Sequence, residues 1–297
     1  MIAMNSSDTM TNYDSDTASE ERAPSSQLKT KIQAKFQIAR PPPKSSQRLR
    51  LSPKLLLQIQ QLPSNHRPVP VLEIWQPPLR KSKLTRGFPQ RPKLSAKDLY
   101  ATLNEPYITK NERPDQEQSQ IHNEPTNQEK DIVAAMCYPP TGDNPSSSAI
   151  HFRDARCIWQ AVSSPAGPGQ STSCYRFAIK NEVNNTGVDQ CGMFMQWEKR
   201  DLPNTDGTAG AETERFVLLA IDRKARRKSR IATMNRGGFE INVRKSSILE
   251  HLRACLALTD PVDGGAVGDS SVDLEVWLYT HVLTLGVWVA SQEGWLN

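Results

Sequence analysis

Apolar and polar residues alternate along several short stretches of the second half of the chain, and this pattern predicts β-strands. Four runs occur between residues 157 and 221: CIWQAV, CYRFAIK, GMFMQWEK and the continuously apolar RFVLLAI. A fifth run, RIATM, is followed by the turn NRGG and by FEINVR, in which every second residue is apolar. A period of two that is interrupted by Asn and Gly is typical of a β-hairpin. We therefore expect five or six mostly antiparallel strands.

The period changes to that of a helix near the end of the chain. Residues 246–260, SSILEHLRACLALTD, carry apolar residues at helical spacing behind a serine cap. Residues 272–295, VDLEVWLYTHVLTLGVWVASQEGW, are apolar on nearly every side. A helix that is apolar all round is buried all round. The predicted fold class is therefore α+β, with a mostly antiparallel curved sheet or partial barrel packed on two C-terminal helices.

The first half of the chain has a different composition. Eighteen of the 22 prolines precede residue 148, and proline interrupts both helices and central strands. We expect a largely disordered, Pro-rich N-terminal half with three local elements. These are short helices over residues 51–63 and 93–107 and an extended segment over residues 67–78. Ser95 and Asp98 form a capping-box-like pair at the start of the second helix.

Charge divides the chain into four blocks. Residues 1–27 have a net charge of −4, residues 28–110 of +14, residues 111–147 of −5 and residues 148–297 of zero. Blocks of one sign repel internally and tend to stay solvated. We interpret the blocks as a disordered acidic tail, a basic Pro-rich arm, an acidic linker and a globular α+β domain. The arm is expected to dock either on this domain or on another protein.

The densest positive charge lies in the stretch IDRKARRKSRIATM. Six of its residues are Lys or Arg within eight positions: Arg223, Lys224, Arg226, Arg227, Lys228 and Arg230. Such a cluster is suited to the phosphates of nucleic acid or of an anionic lipid. It also resembles a nuclear import signal, and RRKS makes Ser229 a candidate site for a basophilic kinase. A solvated hairpin tip that keeps sheet edges apart explains the same residues.

Other chemistries have little support in the sequence. Cys137, Cys157, Cys174 and Cys191 include no close pair of the kind that structural zinc sites use. The chain has no P-loop, no dinucleotide-binding fingerprint and no nucleophile elbow. His281, inside the apolar helix, is expected to be a neutral core histidine. We assign no catalytic residue, no metal ligand and no cofactor.

The segments that target proteins to membranes also lack support. The first residues, MIAMNSSDTMTNYDSDTASEER, are polar and acidic, unlike a secretory signal. The longest apolar stretch, residues 276–290, is shorter than the ~20 residues that a bilayer crossing needs. We expect no transmembrane segment and an intracellular location, in the nucleus or the cytoplasm.

Two resemblances bear on the fold. The stretches RLSPKLLLQIQQL, RPVPVLEIWQPP and VWLYTHVLTLGVWVASQEGWLN resemble a family of filamentous-fungal proteins that has no assigned activity. Strands that end in a very apolar C-terminal helix are also similar in pattern to tubby C-terminal and LURP-one-like barrels. That resemblance implies a closed sheet around a central helix, and some tubby members bind phosphoinositides through basic residues.

Three functions remain open from the sequence. The first is a non-enzymatic intracellular binding or scaffold protein with an unknown protein partner. The second is a phosphate-binding module, for nucleic acid or phosphoinositide, that uses the basic arm and residues 223–230. The third is an enzyme of unrecognised type.

Overall fold

The structure is a computed structural model of the 297-residue chain. It describes residues 31–42, 52–64, 66–79, 82–109, 131–139, 147–153, 155, 157–164, 173–180, 193–201, 214–224, 226–244 and 271–296.

The described residues form fourteen strands and one helix. The strands are β1 (Lys31–Ala39), β2 (Lys54–Gln61), β3 (Val69–Gln76), β4 (Ser82–Lys83), β5 (Lys93–Leu94), β6 (Leu99–Leu103), β7 (Ile132–Cys137), β8 (Ser148–Phe152), β9 (Ile158–Ser164), β10 (Cys174–Lys180), β11 (Met193–Asp201), β12 (Glu214–Asp222), β13 (Arg227–Asn235) and β14 (Gly238–Arg244). The helix is α1 (Ser271–Gln292).

Twelve of these strands close into one antiparallel barrel. The order around it is β1-β14-β13-β12-β11-β10-β9-β8-β7-β6-β3-β2, and β2 pairs with β1 again. Strands β4 and β5 pair separately outside the barrel. Closure removes the unpaired edges that an open sheet exposes. The predicted mostly antiparallel curved sheet is thus confirmed, and it is a complete barrel.

The first strand closes the barrel. On one side β1 pairs with β14, with Phe36 opposite Phe239, and on the other it pairs with β2, with Ile38 opposite Ile59. Phe36, Phe239 and Ile59 are all buried, because alternate residues of each strand face the interior. The predicted hairpin between β13 and β14 is also confirmed, with Arg236 and Gly237 as its two-residue connection.

Helix α1 fills the barrel. All ten residues from His281 to Ala290 are buried, and α1 contacts rings of β1, β8, β9, β10 and β14. Tyr279 packs against Phe36 of β1 at 5.5 Å between ring centroids, and Trp288 packs against Phe177 of β10 at 5.4 Å. A Cβ added to Gly286 would approach Phe239 to 2.3 Å, so this turn of α1 tolerates no side chain without movement of the ring. The all-round apolar pattern predicted this helix and its burial.

Only one of the two predicted C-terminal helices is among the described residues. It is α1, and the other, predicted over residues 246–260, lies outside them. Residues 1–27, predicted to be a disordered tail, also lie outside.

Both helices predicted in the basic arm are wrong. Residues 54–61 form β2, in which Leu57, Ile59 and Gln61 alternate toward the interior, so pairing with β1 and β3 overrides the local helical spacing. Ser95 and Asp98 do form reciprocal hydrogen bonds, since the Ser95 amide donates to the Asp98 carboxylate and the Asp98 amide to the Ser95 carbonyl. This turn leads into strand β6, not into a helix. The extended segment predicted over residues 67–78 is confirmed as β3.

The barrel takes strands from both sides of residue 148, where the sequence suggested a domain boundary. Strands β1, β2, β3 and β6 come from the basic arm and β7 from the acidic linker. Cys137 of β7 pairs directly with Ala149 of β8. Residues 148–297 alone therefore lack five of the twelve barrel strands.

Candidate anion-binding site

The six clustered cations lie on the hairpin between β12 and β13, which we call the basic hairpin (residues 222–230). The side chains of all six are exposed. The sequence suggested that strand structure resumes at Ile231, but β13 begins at Arg227, opposite Asp222 of β12. Arg223, Lys224 and Arg226 therefore lie at the tip, and the other three belong to a strand.

Local hydrogen bonding shapes the tip. The Asp222 carboxylate accepts a hydrogen bond from the Lys224 amide at 2.8 Å. Arg226 has a φ of 51°, in the left-handed region that residues other than glycine seldom occupy. The turn therefore reverses tightly enough for Asp222 and Arg227 to pair.

The ring of Phe194 on β11 connects the basic hairpin to a further cation on β10. The guanidinium carbons of Arg176 and Arg223 lie 4.5 Å and 5.0 Å from the centroid of Phe194, within cation–π range. Phe194 is directly opposite Ile221 of β12, which is in turn opposite Lys228 of β13. This row of outward side chains adds Arg176 to the positive charge of the basic hairpin.

A β-bulge in the β12–β13 ladder lies next to these cations. Leu218 and Leu219 of β12 pair with Ala232 and Arg230, so Ile231 is an extra residue on β13. Ile231 and Ala232 are both buried, whereas Arg230 is exposed. Pairing between β13 and β14 ends at Ala232 and Ile241, so these two strands part beside the bulge, where a bulged strand bends.

A cleft of about 400 Å³ lies where the strands part, and we call it the β13–β14 cleft. Its cations are Arg230 on one side and Arg244 and Lys31 on the other. Lys31 and Arg244 are directly opposite each other in the β1–β14 ladder, which places their side chains about 5 Å apart at Cβ. Glu240 is the one acid among its described lining residues, and its carboxylate lies 3.9 Å from the Lys35 ammonium. The cleft is therefore positive, with polar groups of Ser229 and Asn242 between the cations.

Ser229, the predicted kinase site, occupies a position within the β12–β13 ladder. It pairs with Ala220, lines the cleft and is half-buried. A serine in this position is less accessible than one in an extended loop.

The interior of the described barrel is packed with side chains. His281 lies between Trp277 and Phe152, with ring centroids at 3.6 Å and 3.7 Å and interplanar angles of 19°. Its Nδ1 is 2.9 Å from the Trp277 carbonyl oxygen. Burial lowers the pKa of His281 to about 3, so the ring is neutral at physiological pH, as the sequence predicted.

Two of the described cysteines, Cys137 and Cys157, are unsuited to thiolate chemistry. Burial, with a smaller effect of Asp98, raises the pKa of the Cys137 thiol to about 12, and burial also raises that of Cys157. Neither thiol is ionised near neutral pH, and the thiolate is the nucleophilic form. Within the described ranges, no three His, Cys, Asp or Glu side chains come close enough together to hold a metal ion.

Sequence reasoning missed half of the cleft. It identified Arg230 and Ser229 but not Lys31, Asn242 or Arg244, which reach the cleft only because β1 and β14 pair beside β13. The alternation in KIQAKFQIA, residues 31–39, was a usable signal for β1. It lies within the basic arm, where high charge and proline content directed the interpretation toward disorder.

Comparison with protein-family models, with curated proteins and with solved structures finds no match to this chain. The closed sheet around an apolar helix agrees with the arrangement that the resemblance to tubby C-terminal barrels implies, but these comparisons assign the chain to no family. Of the helices in the described ranges, none is both long enough and apolar enough to cross a bilayer.

Proposed function

We propose that this protein is a non-enzymatic binding module, of the nucleus or the cytoplasm, that binds a phosphate-bearing ligand at the basic hairpin and the β13–β14 cleft. The observation that carries the proposal is the convergence of three cations from three strands on one cleft: Lys31, Arg230 and Arg244. The exposed cations of the basic hairpin continue this surface. Arg and Lys side chains donate charge-assisted hydrogen bonds to phosphate oxygens, and Arg often donates two at once.

A binding role fits the described interior better than catalysis does. Enzyme sites combine a concave pocket with polar groups whose pKa values are set for proton transfer. Here α1 and aromatic side chains fill the barrel, and the pKa of the buried His281 is far below neutral pH. The described lining of the cleft contains Lys, Arg and one Glu but no His or Cys.

The basic arm contributes to this function through the barrel. Its described strands are hydrogen-bonded to neighbouring strands, and its Lys31 reaches the cleft. This arrangement supports a role for the arm in building the site. It does not support a separate docking arm made of residues 31–39, 54–61, 69–76 and 99–103.

Phosphates on nucleic acid and phosphates on phosphoinositide both fit this chemistry. Nucleic-acid affinity falls steeply with salt, because each phosphate contact releases a condensed counterion. Binding to phosphoinositide vesicles instead requires a phosphorylated headgroup in the bilayer. The two ligands are therefore tested in parallel, with a single-stranded oligonucleotide and with vesicles that contain a phosphoinositide.

The test replaces Arg226, Arg227 and Lys228 with Ala and measures affinity by fluorescence anisotropy or vesicle sedimentation at several salt concentrations. We expect affinity for the true ligand to fall about 10- to 100-fold, and the salt dependence to become shallower by about one unit of slope per lost phosphate contact. The matched control replaces Lys54, Arg67 and Lys180, three exposed cations elsewhere on the described surface, with Ala. Equal losses in both triple variants would show that only net charge matters, and the proposal would be abandoned.

A further inference from the structure

A second groove, distinct from the β13–β14 cleft, lies on the outer face of β3, β6 and β7. It encloses about 570 Å³ beneath the segment of residues 82–94, which includes β4 and β5. Its floor contains Trp75 and Tyr100, which are directly opposite each other in the β3–β6 ladder and half-buried. Phe88, Leu94 and Ala135 form a small apolar cluster beside it, separate from the barrel core.

The aromatic floor is held rigidly. The Trp75 indole N–H lies 3.2 Å from both the Thr102 hydroxyl and a Glu73 carboxylate oxygen, to which it donates. Glu73 and Thr102 are themselves buried. These hydrogen bonds fix the indole ring along the sheet and occupy its N–H group. The surface of the ring that faces a ligand is therefore apolar.

Cations border this apolar floor. Lys83 and Arg86 are exposed, and Arg153 is partly exposed and lies 3.1 Å from Asp131. Gly87, with a φ of 70°, lets the chain cross this side chain, because a Cβ there would approach the Arg153 Cγ to 2.7 Å. With Asp131 as its one acid, the described lining has a net charge of +2.

Two prolines complete the border. Pro53 and Pro78 line the groove. Leu79, which follows Pro78 in the sequence but is not a lining residue, is 56% exposed. Grooves lined by aromatic rings and prolines are the usual receptors for extended, proline-containing peptides. The positive border adds a preference for carboxylates on such a peptide.

We propose that this groove binds an extended acidic peptide of a partner protein, with proline or leucine on the Trp75–Tyr100 floor and Asp or Glu beside Lys83 and Arg86. This site is independent of the basic hairpin. A nucleic-acid strand is the alternative occupant, because bases also stack on aromatic rings beside cations, and competition with a thymidine strand tests it.

The experiment selects binders to the full-length protein from a random dodecapeptide library. The most enriched peptide is then measured by fluorescence anisotropy. We expect enrichment of Asp or Glu next to Pro or Leu. Reversal of two exposed charges, with Lys83→Glu and Arg86→Glu, should weaken the selected peptide at least 10-fold. A peptide whose acids are replaced by Lys should bind this variant better than it binds the wild type.

Two controls separate this site from the rest of the surface. Arg67→Glu with Lys180→Glu, and the Ala triple variant of the basic hairpin, should both leave peptide affinity unchanged. Loss of peptide binding in the hairpin variant would show that the peptide binds at the basic hairpin and not in the groove. It would not support the phosphate proposal. Enrichment without acidic residues, an unchanged affinity after charge reversal, or displacement of the peptide by a twelve-nucleotide thymidine strand would each overturn the groove proposal.

Discussion

His281 illustrates how the barrel changes the chemistry of a single residue. Its ring is stacked between Trp277 and Phe152, with Trp159 at 5.9 Å, so the charged form would lose its hydration without gaining a counter-charge from these rings. The pKa of the ring in the folded protein is about 3, whereas that of an unperturbed histidine is 6.5. Below pH 6.5 the unfolded chain therefore binds a proton that the folded chain refuses, and folding stability falls as the pH is lowered toward 3.

The stability test at this position is His281→Phe, which keeps a flat ring but cannot be protonated. Between pH 7.5 and pH 5, the wild type should lose about 2 kcal/mol more of its free energy of unfolding than the variant does, at about 1.4 kcal/mol per pH unit below 6.5. Urea unfolding of both proteins at the two pH values measures the difference. Parallel losses in the two proteins would mean that His281 titrates normally in the folded state.

At the scale of elements, the bulge on β13 couples the fold to the proposed site. Ile231 is the extra residue, and the β13–β14 pairing stops beside it. The cleft exists because the two strands part there, while β14 continues to pair with β1 as far as Arg244 and Lys31. We therefore expect the positions of the cations to depend on one inserted residue that carries no charge.

Deletion of Ile231 should remove the bulge and leave the β12–β13 register regular, with Ala232 and Arg230 still opposite Leu218 and Leu219. Strand β13 would then continue beside β14 and close the cleft. We expect affinity for the phosphate ligand to fall at least 10-fold although every cation is retained. Ile231→Val keeps the bulge and most of the buried volume, so its affinity should be that of the wild type, at a stability cost of about 1 kcal/mol. Unchanged binding in the deletion variant would show that the cleft is not the site.

At the scale of the whole molecule, the sequence predicted elements better than it predicted which of them assemble. Strands β9 to β14 and α1 follow from alternation and from the all-round apolar pattern, because these signals are local. The hairpin cations were also visible as a run. Of the barrel strands, β1, β2, β6, β7 and β8 were missed. In the basic arm, proline, positive charge and the helix-like spacing of Leu55, Leu56 and Ile59 masked a pattern that only long-range pairing makes decisive. For the same reason the sequence predicted only one of the three cations of the cleft. The other two, Lys31 and Arg244, come together through β1–β14 pairing.

The central feature of the molecule is one barrel that both halves of the chain build around α1. Urea unfolding of the full-length protein and of residues 148–297, followed by tryptophan fluorescence, tests this most directly. The full-length protein should give one cooperative transition from a state with buried Trp159, Trp197 and Trp288. The fragment keeps seven barrel strands and leaves β8, β14 and one side of α1 uncovered, so it should show no cooperative transition and solvent-exposed tryptophan emission. A fragment that unfolds cooperatively at the same urea concentration as the full-length protein would contradict the closed barrel.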